Sequence, residues 1–395
     1  MRPAVNVNFH HLCDLVGGND ISAMVALIGA EPVRAGLRNL ELMTLERADL
    51  VASGHPAGAL LQSYLADVVL ARGGTADEYG VLEAEFGPGD RGVLAGFESW
   101  VDGLPRVEPG PPSDIHTLRV GNDMRLAIFG DWASGLTVSD VVSSAIGDWR
   151  PDVVVHLGDV YYAGTPAESR AYLVDRWPRG ARVADRALYS NHEMYSGGAG
   201  YFGITLPALR QESAAFVVEN DFWVVVGLDT GTLDGRIGPR QLRLVHDVEA
   251  RLGSRRMILL SHHPLYSIVD GPNEALITEL DPVLRRGGVA AWYWGHDHEC
   301  VRYSPTPPYD LHAVCAGHGS FPYLRRWPDA AHPSLRKVTA PDGCPPAVVL
   351  DGPGDLGRPG RVGPAGWVSL AFSGAQVVEH LVDTDGVARF AGVLR

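Results

Sequence analysis

The chain is 395 residues long, 46% hydrophobic and 20% charged, with 33 basic against 47 acidic side chains and a net charge of −14. That length allows about two or three domains around sizeable cores, and the acidic balance argues against broad contact with nucleic-acid backbone, which needs a basic face. No segment of the sequence approaches the ~20 apolar residues needed to span a bilayer, so no membrane association is expected. Cys13, Cys300, Cys315 and Cys344 are scattered with no Cys-x-x-Cys pair, which favours a reducing compartment. Asn6, Asn8, His10 and His11 interrupt the N-terminus before an apolar run reaches signal-peptide length, and a cytoplasmic protein is the expectation.

Residues 1–100 read as a small helical bundle. Leu61, Tyr64, Leu65, Val68 and Val69 recur at helical spacing before Arg72-Gly73-Gly74, and Val33, Leu37, Leu40 and Met43 form a similar stripe. Thr75-Ala76-Asp77-Glu78 has the spacing of a capping box and predicts a further helix. No chemistry is legible there: His10, His11 and His55 lack partners at ligand spacing. Residues 101–117, with Pro105, Pro109, Pro111 and Pro112, read as a linker.

From about Leu118 strands and helices alternate, which predicts an α/β domain over 118–395 with helices covering a largely parallel sheet. Helices are expected over Thr137–Trp149, Pro166–Trp177, Gly238–Leu252 and Asn273–Arg286, and buried strands at Val153, Ala187, Phe222, Met257 and Val289. The rhythm breaks in 304–364, a Pro- and Gly-rich insertion with one clear strand at His312–Ala316, where specificity is expected to lie. Three closing strands follow from Trp367.

Five short polar runs each follow apolar, strand-like residues: Gly130-Asp131, Gly158-Asp159-Val160-Tyr161-Tyr162, Asn191-His192-Glu193, His262-His263-Pro264 and Gly295-His296-Asp297-His298. Ligands of open α/β sheets bind beyond the carboxyl ends of the strands, so five strand ends can pool their side chains in one crevice. The pooled groups suit a pair of metal ions, which needs one bridging carboxylate and further O and N donors on each side. Asp159 suits the bridge, Asp131 one side and the Asn191 amide oxygen the other, while His262, His296 and His298 supply imidazoles.

The order Gly-Asp, Gly-Asp-x-x-Tyr, Asn-His-Glu, His-His-Pro, Gly-His-x-His resembles the calcineurin-like metallophosphoesterases, and within them the purple acid phosphatase branch. The resemblance runs from about Leu126 to Glu299 and implies a metallophosphoesterase-type β-sheet sandwich flanked by helices, here behind a small N-terminal helical domain. Where most of the family carries Asp-x-His, this chain has Ala133, and Tyr162, three residues after Asp159, is expected to fill that place. The implied metal ligands are Asp131, Asp159, Tyr162 and His298 around Fe(III), and Asp159, Asn191, His262 and His296 around Zn, Fe or Mn. His192 is the implied catalytic residue, and Asn191 and His192 the implied substrate contacts. The implied reaction is hydrolysis of small phosphate monoesters by water or hydroxide held between the metals. A phosphodiesterase acting on cyclic nucleotides or other small diesters, and a non-catalytic regulatory protein, are the alternatives. The N-terminal helices are the expected surface for a protein partner or self-association.

Overall fold

In the computed structural model, residues 2–6, 52–54, 56–77, 79–83, 96–105, 115, 117–180, 182–354 and 362–394 are described. Two mixed sheets dominate. The six-stranded sheet runs Ala388–Leu394, Gln376–Asp383, Gly366–Ser373, Arg125–Phe129, Val153–His156, Ala184–Ala187. Its last three strands are parallel and its first three antiparallel. The nine-stranded sheet runs Ser334–Val338, Ala347–Asp351, Cys300–Tyr303, His312–Ala316, Val289–Trp294, Arg256–Ser261, Trp223–Gly227, Phe216–Glu219, Thr117–Arg119. Its centre, from His312–Ala316 to Trp223–Gly227, is parallel.

Side-chain alternation along these strands builds a layered sandwich. Leu126, Ile128, Val153 and Val155 of one sheet meet Ile258, Leu260, Tyr293 and Val314 of the other in a shared core. The intervening residues point outward: Phe129 and Val154 under Val142 and Ile146 of helix Thr137–Trp149, and Met257, Leu259 and Trp292 under Val245, Val248, Leu276 and Leu280. The last four lie on helices Pro239–Ala250 and Glu274–Arg285. Strands buried on both faces explain why the sequence shows continuous apolar runs there rather than alternation.

The sandwich with flanking helices is as expected, but the single largely parallel sheet becomes two mixed ones. The 304–364 insertion is also more ordered than composition suggested. Ser334–Val338 and Ala347–Asp351 pair with each other, and the latter pairs with Cys300–Tyr303. Strand Ser334–Val338 lies at a sheet edge, with every residue only partly buried or exposed, so it lacks the apolar pattern that betrays a strand.

In the N-terminal region, helix Pro56–Arg72 starts with Pro and stops before Gly73, whose positive φ suits the turn that ends a helix. Leu61, Tyr64 and Leu65 pack on Phe97 and Trp100 of the short helix Phe97–Asp102. The helix expected from Thr75 does not form. Asp77 instead accepts from the backbone N–H of Tyr79 and Val81, which turns the chain into strand Val81–Glu83, parallel to Ala4–Asn6. Among the described residues this region is therefore two helices and a strand pair, and the Val33 to Met43 stripe, His10, His11, His55, Cys13 and most of the 101–117 linker lie outside them. Among the described residues no helix is long and apolar enough to cross a membrane.

Candidate metal centre

Four of the polar runs occupy the turn after a strand's carboxyl end, and the fifth, Asn191-His192-Glu193, opens the short helix Asn191–Tyr195 that follows strand Ala184–Ala187. Asp131 follows Arg125–Phe129, Asp159 follows Val153–His156, His262 follows Arg256–Ser261 and His296 follows Val289–Trp294. Asp131, Asp159 and His296 hold positive φ angles of 55°, 73° and 72°, a conformation that costs free energy and is retained where surrounding structure demands it. Gly158 is required on two counts: its φ is 108°, and a Cβ there would lie 2.9 Å from Nδ1 of His262.

Two groups of donors converge. Asp131, Asp159 and His298 bring ligand atoms within 4.8 Å of one another, as do His262, His263 and His296. The groups are joined through Asp159, whose Oδ1 lies 3.3 Å from His262 Nε2. Nε2 of His262 is also 2.9 Å from Asn191 Oδ1 and 3.2 Å from His296 Nδ1.

The electrostatics suit a cation site. Asp131 is fully buried, and burial together with the adjacent Asp159 holds its carboxyl well above the usual range. Burial also opposes ionisation of Asp159, but the imidazoles of His192, His262 and His296 outweigh it and hold Asp159 well below that range. Burial pushes His262 down to about 3 and His298 down to about 4, so both present neutral imidazoles. The His262 Nδ1–H donates to the Leu157 carbonyl at 3.0 Å, which leaves the Nε2 lone pair facing Asp159, the arrangement of a metal-binding histidine. Oδ1 of Asp159 is buried without a hydrogen-bond partner among the described residues. The donor set fits a metal pair.

Residues 113–300 match the family model for calcineurin-like phosphoesterases. The fold of the chain is similar to that of a purple acid phosphatase isolated from yellow lupin (Lupinus luteus) seeds, at 18% identity and a TM-score of 0.53, over 69% of this chain and 54% of the lupin chain. The chain thus spans about half the length of that relative. Weaker likenesses are GAP50, the anchor in the inner membrane complex of Plasmodium (14% identity, TM-score 0.49, 70% and 89% covered), and PhoD (10%, 0.42, 69% and 68%). No curated protein sequence matches.

The structure departs from the sequence reading at the tyrosine. The Tyr162 hydroxyl points to the N-terminal strand and donates to the Val5 carbonyl at 2.6 Å. It is the Tyr161 hydroxyl that enters the first group, 2.9 Å from Asp159 Oδ2, 3.2 Å from Asp131 Oδ1 and 2.9 Å from His298 Nε2. Counting residues from Asp159 could not decide between adjacent phenols, because the path of the turn after Asp159 determines which one faces inward. Tyr161 packs on Phe321 with ring centroids 4.0 Å apart, a contact contributed by the distant insertion.

His192 stands beside the first group, with Nδ1 2.5 Å from the Tyr162 carbonyl and Nε2 3.8 Å from Asp159. His263 joins the second group in position, although its Nδ1 is engaged by Thr230 at 3.0 Å. His318 is buried beside Gly366 and belongs to neither group.

Sequence reasoning missed the supports beneath the ligands. Glu193 accepts from the Asp159 N–H at 3.2 Å and from the Ser190 hydroxyl, and burial with Asp159 beside it pushes its carboxyl up to about 8. Glu168 accepts from the backbone N–H of Tyr162, Ala163 and Thr165, tying down the turn after the two tyrosines. Only the presence of Glu in the Asn-His-Glu run signalled any of this. Arg325 and Arg326 are structural: Arg326 makes paired 2.8 Å bonds to Glu299, and Arg325 donates to the Ala330 carbonyl at 2.6 Å.

Proposed function

We propose that the chain hydrolyses small phosphate monoesters at a two-metal centre of the purple acid phosphatase kind. One observation carries the reading: two buried carboxylates, Asp131 and Asp159, converge with a phenol and His298 on one side, while Asn191, His262 and His296 flank Asp159 on the other. Asp131, Asp159, Tyr161 and His298 would hold the first ion, and Asp159, Asn191, His262 and His296 the second. The oxygen-rich first set suits Fe(III), and the second suits Zn, Fe or Mn. Such a pair supplies Lewis-acid polarisation of the phosphoryl oxygens and a nucleophilic water near neutral pH.

The protein's own groups do the rest. Asp159 shares its carboxylate between the two donor sets. The Tyr162 carbonyl accepts from His192 Nδ1–H and so aims Nε2 into the crevice, where a protonated Nε2 can donate to the departing oxygen of the ester. Rings of Tyr161 and Phe321 wall one side and exclude water. The substrate is a soluble phosphorylated compound, and the compartment is the cytoplasm.

The reading is tested by reconstituting the chain with iron and zinc, then with manganese, and comparing 4-nitrophenyl phosphate with bis(4-nitrophenyl) phosphate. The monoester is expected to turn over faster. Faster diester turnover would replace the monoesterase with a diesterase, and no turnover of either by a metal-loaded protein would overturn the enzyme itself.

A further inference from the structure

Resting on the two-metal reading, we infer that Tyr195 is a positioning residue that holds the Asn191 amide with its oxygen toward the second metal position, using the N-terminal segment as its anchor. Asn191 and Tyr195 stand four residues apart on the short helix Asn191–Tyr195, a spacing that places them on one face. The Asn191 Nδ2 donates to the Tyr195 hydroxyl at 2.8 Å, and that hydroxyl donates to the Gly54 carbonyl at 2.8 Å.

The direction of this chain of bonds follows from what each group can do. A carbonyl oxygen only accepts, so the single phenolic proton goes to Gly54. The Tyr195 oxygen then has only lone pairs left for Asn191, and it accepts from the NH2 end of the amide. The Oδ1 end must therefore face the opposite way, where it lies 2.9 Å from His262 Nε2.

An asparagine ligand is useful only through its oxygen, because its NH2 end has no lone pair to offer a cation. A phenylalanine at 195 would keep the ring that packs on His192, with centroids 5.0 Å apart, while removing the directing oxygen. The anchor also explains why the region before the phosphoesterase segment packs on it. Helix Pro56–Arg72 lies against Asn191–Tyr195, and the same region meets Tyr162 through Val5, Tyr172 through Pro3 and Glu168 through Ser63.

The test is calorimetric titration of the metal-free 395-residue chain with Mn(II), in wild type, Tyr195→Phe, Asn191→Asp and the double variant. Tyr195→Phe is expected to weaken one of the two binding events on the order of 10-fold. In the Asn191→Asp background the same Tyr195→Phe change is expected to have no effect, since a carboxylate presents an oxygen whichever way it turns. Unchanged Mn(II) affinity in Tyr195→Phe overturns the inference alone. An equal loss in both backgrounds also overturns it, by showing general loosening rather than orientation. A wild-type chain that takes up no Mn(II) overturns both the inference and the metal reading beneath it.

Discussion

Tyr161 and Tyr162 are chemically identical neighbours whose environments predict opposite consequences of the same substitution. Tyr161→Phe removes a hydroxyl within 3.2 Å of both buried carboxylates and of His298. A hydrogen bond to a charged partner contributes about 1.5–3 kcal/mol, and at about 1.4 kcal/mol per factor of ten the first ion should bind roughly 10- to 150-fold more weakly. Any visible tyrosinate-to-iron absorption should vanish with it. Tyr162→Phe leaves the buried Val5 carbonyl without this donor, which costs stability of about 1–3 kcal/mol and leaves metal affinity and colour in place. Metal titration, a visible spectrum and a thermal melt on both variants form a crossed pair: one loses metal, the other Tm. Loss of metal in Tyr162→Phe with retention in Tyr161→Phe would refute the reasoning and restore the phenol three residues after Asp159 as the ligand.

Two further outcomes are expected. His156 is fully buried among Phe129, Trp132 and Trp177, with neither ring nitrogen bonded among the described residues, and burial pushes it from 6.5 down to about 3. The unfolded chain therefore takes up this proton first, so the stability due to neutral His156 is complete above pH 6.5 and is lost as pH falls toward 3. At about 1.4 kcal/mol per pH unit, acidification from pH 6.5 to 5 costs about 2 kcal/mol of stability, and His156→Phe should flatten this part of a urea-denaturation series; an unaltered slope would contradict it. His192→Ala should lower kcat by about 10²–10⁴-fold with Mn(II) affinity retained, and loss of the metals would show that His192 holds the site rather than serving the reaction.

Much of the centre was legible without coordinates. Asp131, Asp159, Asn191, His262, His296 and His298 stand in runs that follow apolar strands, and side-chain type with position at a strand end was enough to bring them together. Local pattern also located helices Thr137–Trp149 and Glu274–Arg285, because Val138, Val142 and Ile146, and Leu276, Leu280 and Val283, repeat at the helical period that a single buried face imposes. It failed at Thr75-Ala76-Asp77-Glu78, where the carboxylate of Asp77 supports a turn as readily as a helix start, and along Ser334–Val338, where an edge strand has no buried alternation to display.

By itself, then, the sequence determined which groups meet and on what kind of scaffold, since donor chemistry and the periodicity of burial are properties of the residues in order. Tertiary structure alone decided which of two adjacent phenols turns inward, which way the Asn191 amide faces and what the N-terminal segment is packed against. Those outcomes depend on Val5, Gly54, Glu168 and Phe321, partners supplied from elsewhere in the chain, and a contact between distant segments leaves no period or motif in either one.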